Sequence, residues 1–188
     1  MRITSTDRLI SWLILPVIPS WVTPNQVTLL RFFLIPFVVY LLMMEEFRRG
    51  AILFGLAALT DALDGAMARY RNQITEWGKI YDPLADKLLV GTAVGVLVTK
   101  YVSEYLAAAI IFVEVLLIVN AFYKNQAEGK VIQAVWAGKL KMILQSSAIL
   151  LLLVSLIFFI PSLIAAVTGL LYLSLLFALI SLLVYRSI

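Results

Sequence analysis

The chain has 188 residues, 63% of them hydrophobic and 14% charged, with a formal net charge of +4 and neither cysteine nor histidine. A mean hydropathy of +1.01 excludes an ordinary soluble domain, because a chain of this length has too little interior to hide so much apolar side chain. The missing cysteine and histidine exclude thiolate nucleophiles, disulfides, imidazole bases and most zinc or haem ligation. Acid–base chemistry is left to carboxylates, lysines and tyrosines.

Residues 1–24 read as an arm. Leu9–Ile18 is apolar but is interrupted by Pro16 and followed by Pro19, with no small-residue cleavage site, so a cleavable signal peptide is not expected. Asp7, Arg8 and Ser11 alternate with Leu9, Ile10, Trp12 and Leu13. That pattern suits a short interfacial helix with Trp12 and Trp21 at headgroup depth, or else an irregular apolar arm. Six apolar runs follow: Val27–Met44, Ala51–Arg69, Pro83–Lys100, Tyr105–Tyr123, Lys139–Ile160 and Ser162–Tyr185. Each approaches the roughly 20 residues a membrane-spanning helix needs. None alternates as a strand would. The expected fold is an all-α integral membrane bundle of six transmembrane helices, with residues 1–24 as a short N-terminal interfacial helix and 25–188 as one transmembrane catalytic domain.

Local signals refine this order. Thr23-Pro24-Asn25 supplies turn and capping residues for the first run, with Asn25 or Thr28 able to cap, and Pro36 is expected to bend it. Asp82-Pro83 reads as a helix start, with proline near the first helical position and Asp82 as a cap or a ligand. Glu114 and Asn120 lie inside the fourth run, where a carboxylate faces the bundle interior, against a neighbouring helix or a substrate. Gly138-Lys139-Leu140-Lys141 opens the fifth run, four residues before Gln145. Lys139 and Lys141 there offer a phosphate site or headgroup anchors. The last run carries no evident chemistry. With an inside N-terminus, all of the 15 basic residues except Arg48, Arg49 and Lys100 fall on the same side as both termini, which the positive-inside rule makes cytoplasmic. The scatter of those residues over several helix ends excludes a nucleic-acid stripe.

The chemistry concentrates between Asp61 and Asp86, in DALDGAMARYRNQITEWGKIYDPLAD. On a helix Asp61 and Asp64 share a face, and Gly65 and Ala68 continue the stripe. Asp82 and Asp86 are i,i+4 neighbours. Carboxylate pairs facing each other across a short loop repel unless cations lie between them, and hard divalent ions such as Mg²⁺ or Mn²⁺ take such oxygen ligands. The segment reads as a metal-assisted phosphoryl-transfer centre on the cytoplasmic side.

Its spacing, D-x2-D-G-x2-A-R-x8-G-x3-D-x3-D over Asp61, Asp64, Gly65, Ala68, Arg69, Gly78, Asp82 and Asp86, resembles at every fixed position the signature of the CDP-alcohol phosphotransferases. The Pro24-Asn25 to Arg31 stretch is similar to the P-N-x-[IV]-T-x-x-R entry of the same family. The resemblance implies an integral membrane enzyme that moves a phosphatidyl group from CDP-diacylglycerol to an alcohol and releases CMP. Homodimers in the cytoplasmic membrane of a prokaryote are expected. Two-metal transfer then takes Asp61, Asp64 and Asp82 as principal ligands of two Mg²⁺ or Mn²⁺ ions, with Asp86 contributing to the second ion. The resemblance also implies that Asp86 is the general base and that Arg69 meets the donor phosphates. Gly65, Ala68 and Gly78 are expected to leave room for the cytidine, with Asn25 and Thr28 near the nucleotide.

For the acceptor, DPLADK and GKLK-x3-Q resemble the branch that uses glycerol 3-phosphate, with Lys139, Lys141 and Lys124 as its cations. Val113 stands where that branch carries arginine. The segment from Glu114 to Tyr123 looks more like the cardiolipin synthases, whose acceptor is phosphatidylglycerol. A cation carrier with a carboxylate pathway is the alternative of another class.

Overall fold

The computed structural model describes residue 19 and residues 22–71, 73, 75–128 and 136–186. The arm expected over residues 1–24 therefore lies almost wholly outside them. The described residues are helical and contain no strand: α1 Pro24–Met43, α2 Phe47–Tyr70, α3 Glu76–Ala93, α4 Glu104–Glu128, α5 Trp136–Phe158 and α6 Leu163–Arg186. A π-helical turn, Val94–Val98, and a last turn, Thr99–Tyr101, prolong α3.

Four helices among the described residues are long and apolar enough to cross a membrane: Pro24–Met43, Phe47–Tyr70, Trp136–Phe158 and Leu163–Leu183. α1 shows how such a helix is patterned. Leu29, Phe33, Phe37 and Tyr40 are exposed along one stripe, whereas Thr28, Arg31, Ile35 and Val38 are buried. Large apolar side chains outside and polar ones inside suit a hydrocarbon solvent and would be untenable in water. The protein is an integral membrane protein.

The chain forms two compact units, Met1–Val38 with Ile52–Leu89 and Val39–Ala51 with Val90–Ile188. In the first, Thr23 caps α1: its hydroxyl accepts from Gln26 N at 3.4 Å, and Gln26 Oε1 accepts from Thr23 N at 2.9 Å. This reciprocal pair, with Pro24 at the first helical position, closes α1 without Asn25 or Thr28, which face other partners. Pro36 lies inside an unbroken α1.

α3 corrects the expected helix start at Asp82-Pro83. It begins at Glu76, with Pro83 in its interior. The cap is Thr75, whose Oγ1 accepts from Gly78 N at 2.9 Å. A proline at that depth removes one helical hydrogen bond, which helix neighbours can absorb in a membrane bundle. Asp82 is thereby a side chain on a helix face rather than a cap.

In the second unit, α5 and α6 are joined by a tight reversal. Phe159 adopts φ 55°, and Ile160 N donates to Ser155 O at 2.9 Å. This is a Schellman end built on a non-glycine residue. α1 ends in the same way at Glu45, φ 59°, with Glu46 N donating to Leu41 O at 3.0 Å. The Glu45 carboxyl is held below its usual range, first by a hydrogen bond from Lys100 and then by that ammonium's charge. Gly50 lets the start of α2 approach α1, since a Cβ there would lie 2.7 Å from Leu42 Cδ2. Leu97, Val98, Leu152, Leu153 and Leu171 are among the buried core residues of this unit.

Candidate functional site

The first unit brings three stretches of helix together through side chains. α1 carries Asn25, Thr28 and Arg31 at three-residue intervals, which keeps them along one flank of the helix. α2 contributes Thr60, Asp61 and Asp64, and α3 contributes Gly78, Asp82 and Asp86.

Arg31 is the cation of this network. Its fully buried side chain donates from Nη1 to Asp61 Oδ1 at 2.9 Å and from Nη2 to Asp64 Oδ2 at 2.6 Å. Its Nε donates to Thr60 Oγ1 at 3.0 Å. Asp61 is 44% exposed at the side chain and Asp64 only 2%, so the pair reaches from the surface inward. The Thr28 hydroxyl lies 2.7 Å from Asp82 Oδ1, and 3.3 Å from Asp64 Oδ2. It therefore joins the α2 and α3 aspartates. Thr75 Oγ1 donates to Asn25 Oδ1 at 2.9 Å, which ties the start of α1 to the cap of α3.

The small residues have definite neighbours. A Cβ at Gly78 would lie 3.2 Å from both Asp82 Oδ2 and Thr75 Oγ1. One at Gly65 would lie 3.3 Å from both terminal nitrogens of Arg69, so this glycine makes room for the guanidinium one turn along α2. Ala68, Arg69 and Asp86 are half-buried on α2 and α3. Trp77 stacks on Tyr81 at 4.4 Å between ring centroids, and Phe32 meets Tyr81 edge-on.

The donor set has the chemistry a hard divalent cation requires, all of it carboxylate oxygen. As they stand, no group of three such side chains among the described residues could hold a metal ion. Arg31 stands between Asp61 and Asp64 instead. Sequence reasoning counted Arg31 only as an orienting charge and as part of the P-N-x-[IV]-T-x-x-R stretch, and it missed Thr60 and Thr75. The available signal was three-residue spacing from Thr28 on a helix facing two aspartates.

The expected acceptor cations are not a pair. Lys139 is exposed, whereas Lys141 is buried and ion-paired with Glu114 of α4. Residues two apart on a helix point to nearly opposite sides, which is why one lysine is out and the other in. Glu114 Oε2 and Gln145 Nε2 are buried with no hydrogen-bond partner among the described residues. Lys124 lies on α4, with its side chain outside the described residues.

These features agree with what the chain is similar to. The family model for CDP-alcohol phosphatidyltransferase matches residues 21–184. The chain belongs to that family, as its aspartate spacing implied. Among relatives, it is 42% identical over 80 residues to a CDP-diacylglycerol–glycerol-3-phosphate 3-phosphatidyltransferase of Rickettsia typhi, covering 41% of this chain and 45% of that protein. It is 35% identical over 146 residues to the Bacillus subtilis protein of the same name, covering 68% of this chain and 76% of that one. It is also 38% identical over 105 residues to the human cardiolipin synthase (CMP-forming), covering 55% of this chain and 35% of that protein. The matched segment thus spans less than half of the Rickettsia relative.

Proposed function

We propose that the protein transfers a phosphatidyl group from CDP-diacylglycerol to an alcohol, most simply glycerol 3-phosphate, and releases CMP. The observation that carries this reading is the network in which Arg31 and Thr28 gather Asp61, Asp64 and Asp82 from two helices. Membership of the family and the names of the Rickettsia and Bacillus relatives support the donor and the acceptor.

Asp61, Asp64, Asp82 and Asp86 would hold two Mg²⁺ or Mn²⁺ ions, which would supply charge neutralisation for the leaving phosphate. The acceptor hydroxyl oxygen bonds to the phosphatidyl phosphorus, and the bond from phosphorus to the oxygen of CMP breaks. The hydroxyl proton passes to Asp86. Arg69 meets the donor phosphates. Asn25, Thr28, Gly65, Ala68 and Gly78 line the nucleotide, and Lys139 meets the acceptor phosphate. Residues 25–188 then act as one catalytic domain of six spans, the α3 and α4 regions joining the four most apolar helices. The site and both termini face the cytoplasm, and the working form is a homodimer.

A second acceptor has its own support. Lys141 is matched in charge by Glu114, and Val113 replaces the expected arginine, which takes two of the cations expected for a dianionic phosphate out of that role. That favours phosphatidylglycerol, as the name of the human relative suggests. Purified protein with radiolabelled CDP-diacylglycerol and Mg²⁺, offered each acceptor separately, tests both. Phosphatidylglycerophosphate is the expected product. Cardiolipin alone moves the assignment to the second acceptor, and no CMP with either removes the transferase reading.

A further inference from the structure

Among the described residues, two buried side-chain atoms have no hydrogen-bond partner, Glu114 Oε2 and Gln145 Nε2. Both belong to the second unit. Glu114 is on α4, where Val113 and Leu117 pack against Ala178 of α6. Gln145 is on α5, in the buried stripe Ala137, Lys141, Gln145, Ala148 and Leu152. Lys141 stands one helical turn before Gln145 on that stripe and is ion-paired with Glu114 Oε1. The lysine thus brings the two unmatched atoms into one neighbourhood. Glu114 is 8% exposed and Gln145 1%, so bulk water does not satisfy them.

The chemistry of the two atoms limits what can satisfy both. Paired with an ammonium, Glu114 is a carboxylate whose second oxygen only accepts, whereas the amide nitrogen of Gln145 only donates. The two are not bonded to each other. An anion at Gln145 would be repelled by Glu114. A metal ion or organic cation at Glu114 would be repelled by Lys141 and would leave Gln145 unmatched. A carbonyl accepts from the amide but gives Glu114 nothing. A hydroxyl meets both needs, because its one oxygen donates a proton to Glu114 and accepts from Gln145. Buried water is held by polar partners of this kind.

We propose that Glu114 and Gln145 form a binding site for a single hydroxyl group inside the second unit, supplied by a resident water or by an alcohol. Held there, the hydroxyl ties α4 to α5 beside the ion pair. The site uses none of the aspartates and does not depend on the transferase reading.

The test uses the full chain. High-resolution crystal structures without an added alcohol, with glycerol 3-phosphate and with phosphatidylglycerol are expected to show an ordered oxygen within hydrogen-bond distance of both Glu114 Oε2 and Gln145 Nε2. An oxygen present in all three is water, and one that arrives with an added compound is an alcohol's. No such oxygen in any of them overturns the proposal, whatever a variant does. Gln145→Met, similar in volume but without the donor, adds a sign. A hydroxyl site predicts a thermal midpoint in detergent lower by roughly 2–4 °C where water fills it, or an acceptor KM raised about 5- to 10-fold where an alcohol does. A nitrogen that is merely unmatched predicts the reverse, a raised midpoint, because the substitution removes a buried group that nothing satisfies. A raised or unchanged midpoint together with an unchanged KM therefore overturns the proposal. Should Gln145→Met fail to fold, the crystals decide alone.

Discussion

Lys141→Ala separates a structural lysine from a substrate-binding one. Lys141 is 3% exposed and Glu114 10%, and the two are ion-paired in the second unit. Removing the ammonium leaves Glu114 with both oxygens unmatched, since Oε2 already has no described partner. Breaking a buried pair from one side costs about 3–5 kcal/mol. An unpaired charge near the middle of a membrane helix costs roughly 2.5–3.5 kcal/mol on insertion scales, so the two routes agree near 3 kcal/mol. Replacing both partners with apolar residues of similar volume, Glu114→Leu with Lys141→Met, should recover most of that loss, because no charge remains buried. Thermal and denaturant unfolding in detergent of the wild type, both single variants and the double variant forms the required cycle. A Lys141→Ala protein as stable as the wild type, with only its acceptor KM raised, would refute the argument and return Lys141 to the acceptor site.

Other outcomes follow from the same geometry. Turnover should stop in excess EDTA and return with Mg²⁺ or Mn²⁺; full activity in chelator would end the two-metal reading. Asp86→Asn should keep CDP-diacylglycerol binding, measured by equilibrium binding of labelled donor, while losing most turnover, as a base is needed only when the acceptor reacts. Lys139→Ala should raise the KM for glycerol 3-phosphate by roughly 10- to 100-fold and leave that of the donor unchanged, a charge-assisted contact being worth about 1.5–3 kcal/mol. Phe159→Gly should raise the unfolding midpoint, because a left-handed backbone costs an L-residue roughly 1–2 kcal/mol, of which glycine's entropy returns about half.

Hydropathy located the helices because a span must be apolar along most of its length. It failed where a helix begins outside that apolar stretch. The opening turns of α3, from Glu76, carry Lys79 and Asp82 beside Trp77 and Ile80, so they read as a loop. The Asp82-Pro83 dipeptide then gave a stronger local start signal than Thr75. The sequence did hold the answer in part, since a threonine three residues before Gly78 is a cap whenever the intervening turn is helical. What it lacked was a reason to prefer one cap over the other, and that reason is tertiary: Thr75 also reaches Asn25 on α1.

The site divides along the same line. That Asp61 and Asp64 share a face follows from helical period alone, and the structure puts both on one guanidinium. Period also forbids Lys139 and Lys141 from acting side by side, a point legible in the spacing but overshadowed by their shared charge. Arg31 was hidden for a different reason. An arginine in the second turn of an apolar helix satisfies the positive-inside rule whether it reaches a lipid headgroup or turns into the protein, so composition cannot tell an anchor from a counter-ion. The carboxylates can. A buried aspartate on a neighbouring helix, here Asp64, requires a cation within reach, and Arg31 is the basic residue of α1, three positions beyond a threonine that faces the same Asp64. A guanidinium also presents its donors in a planar fork, which can span two carboxylates one helical turn apart as an ammonium cannot. The choice of arginine over lysine at this position is therefore itself a statement about the site: one side chain holds Asp61 and Asp64 in fixed relation.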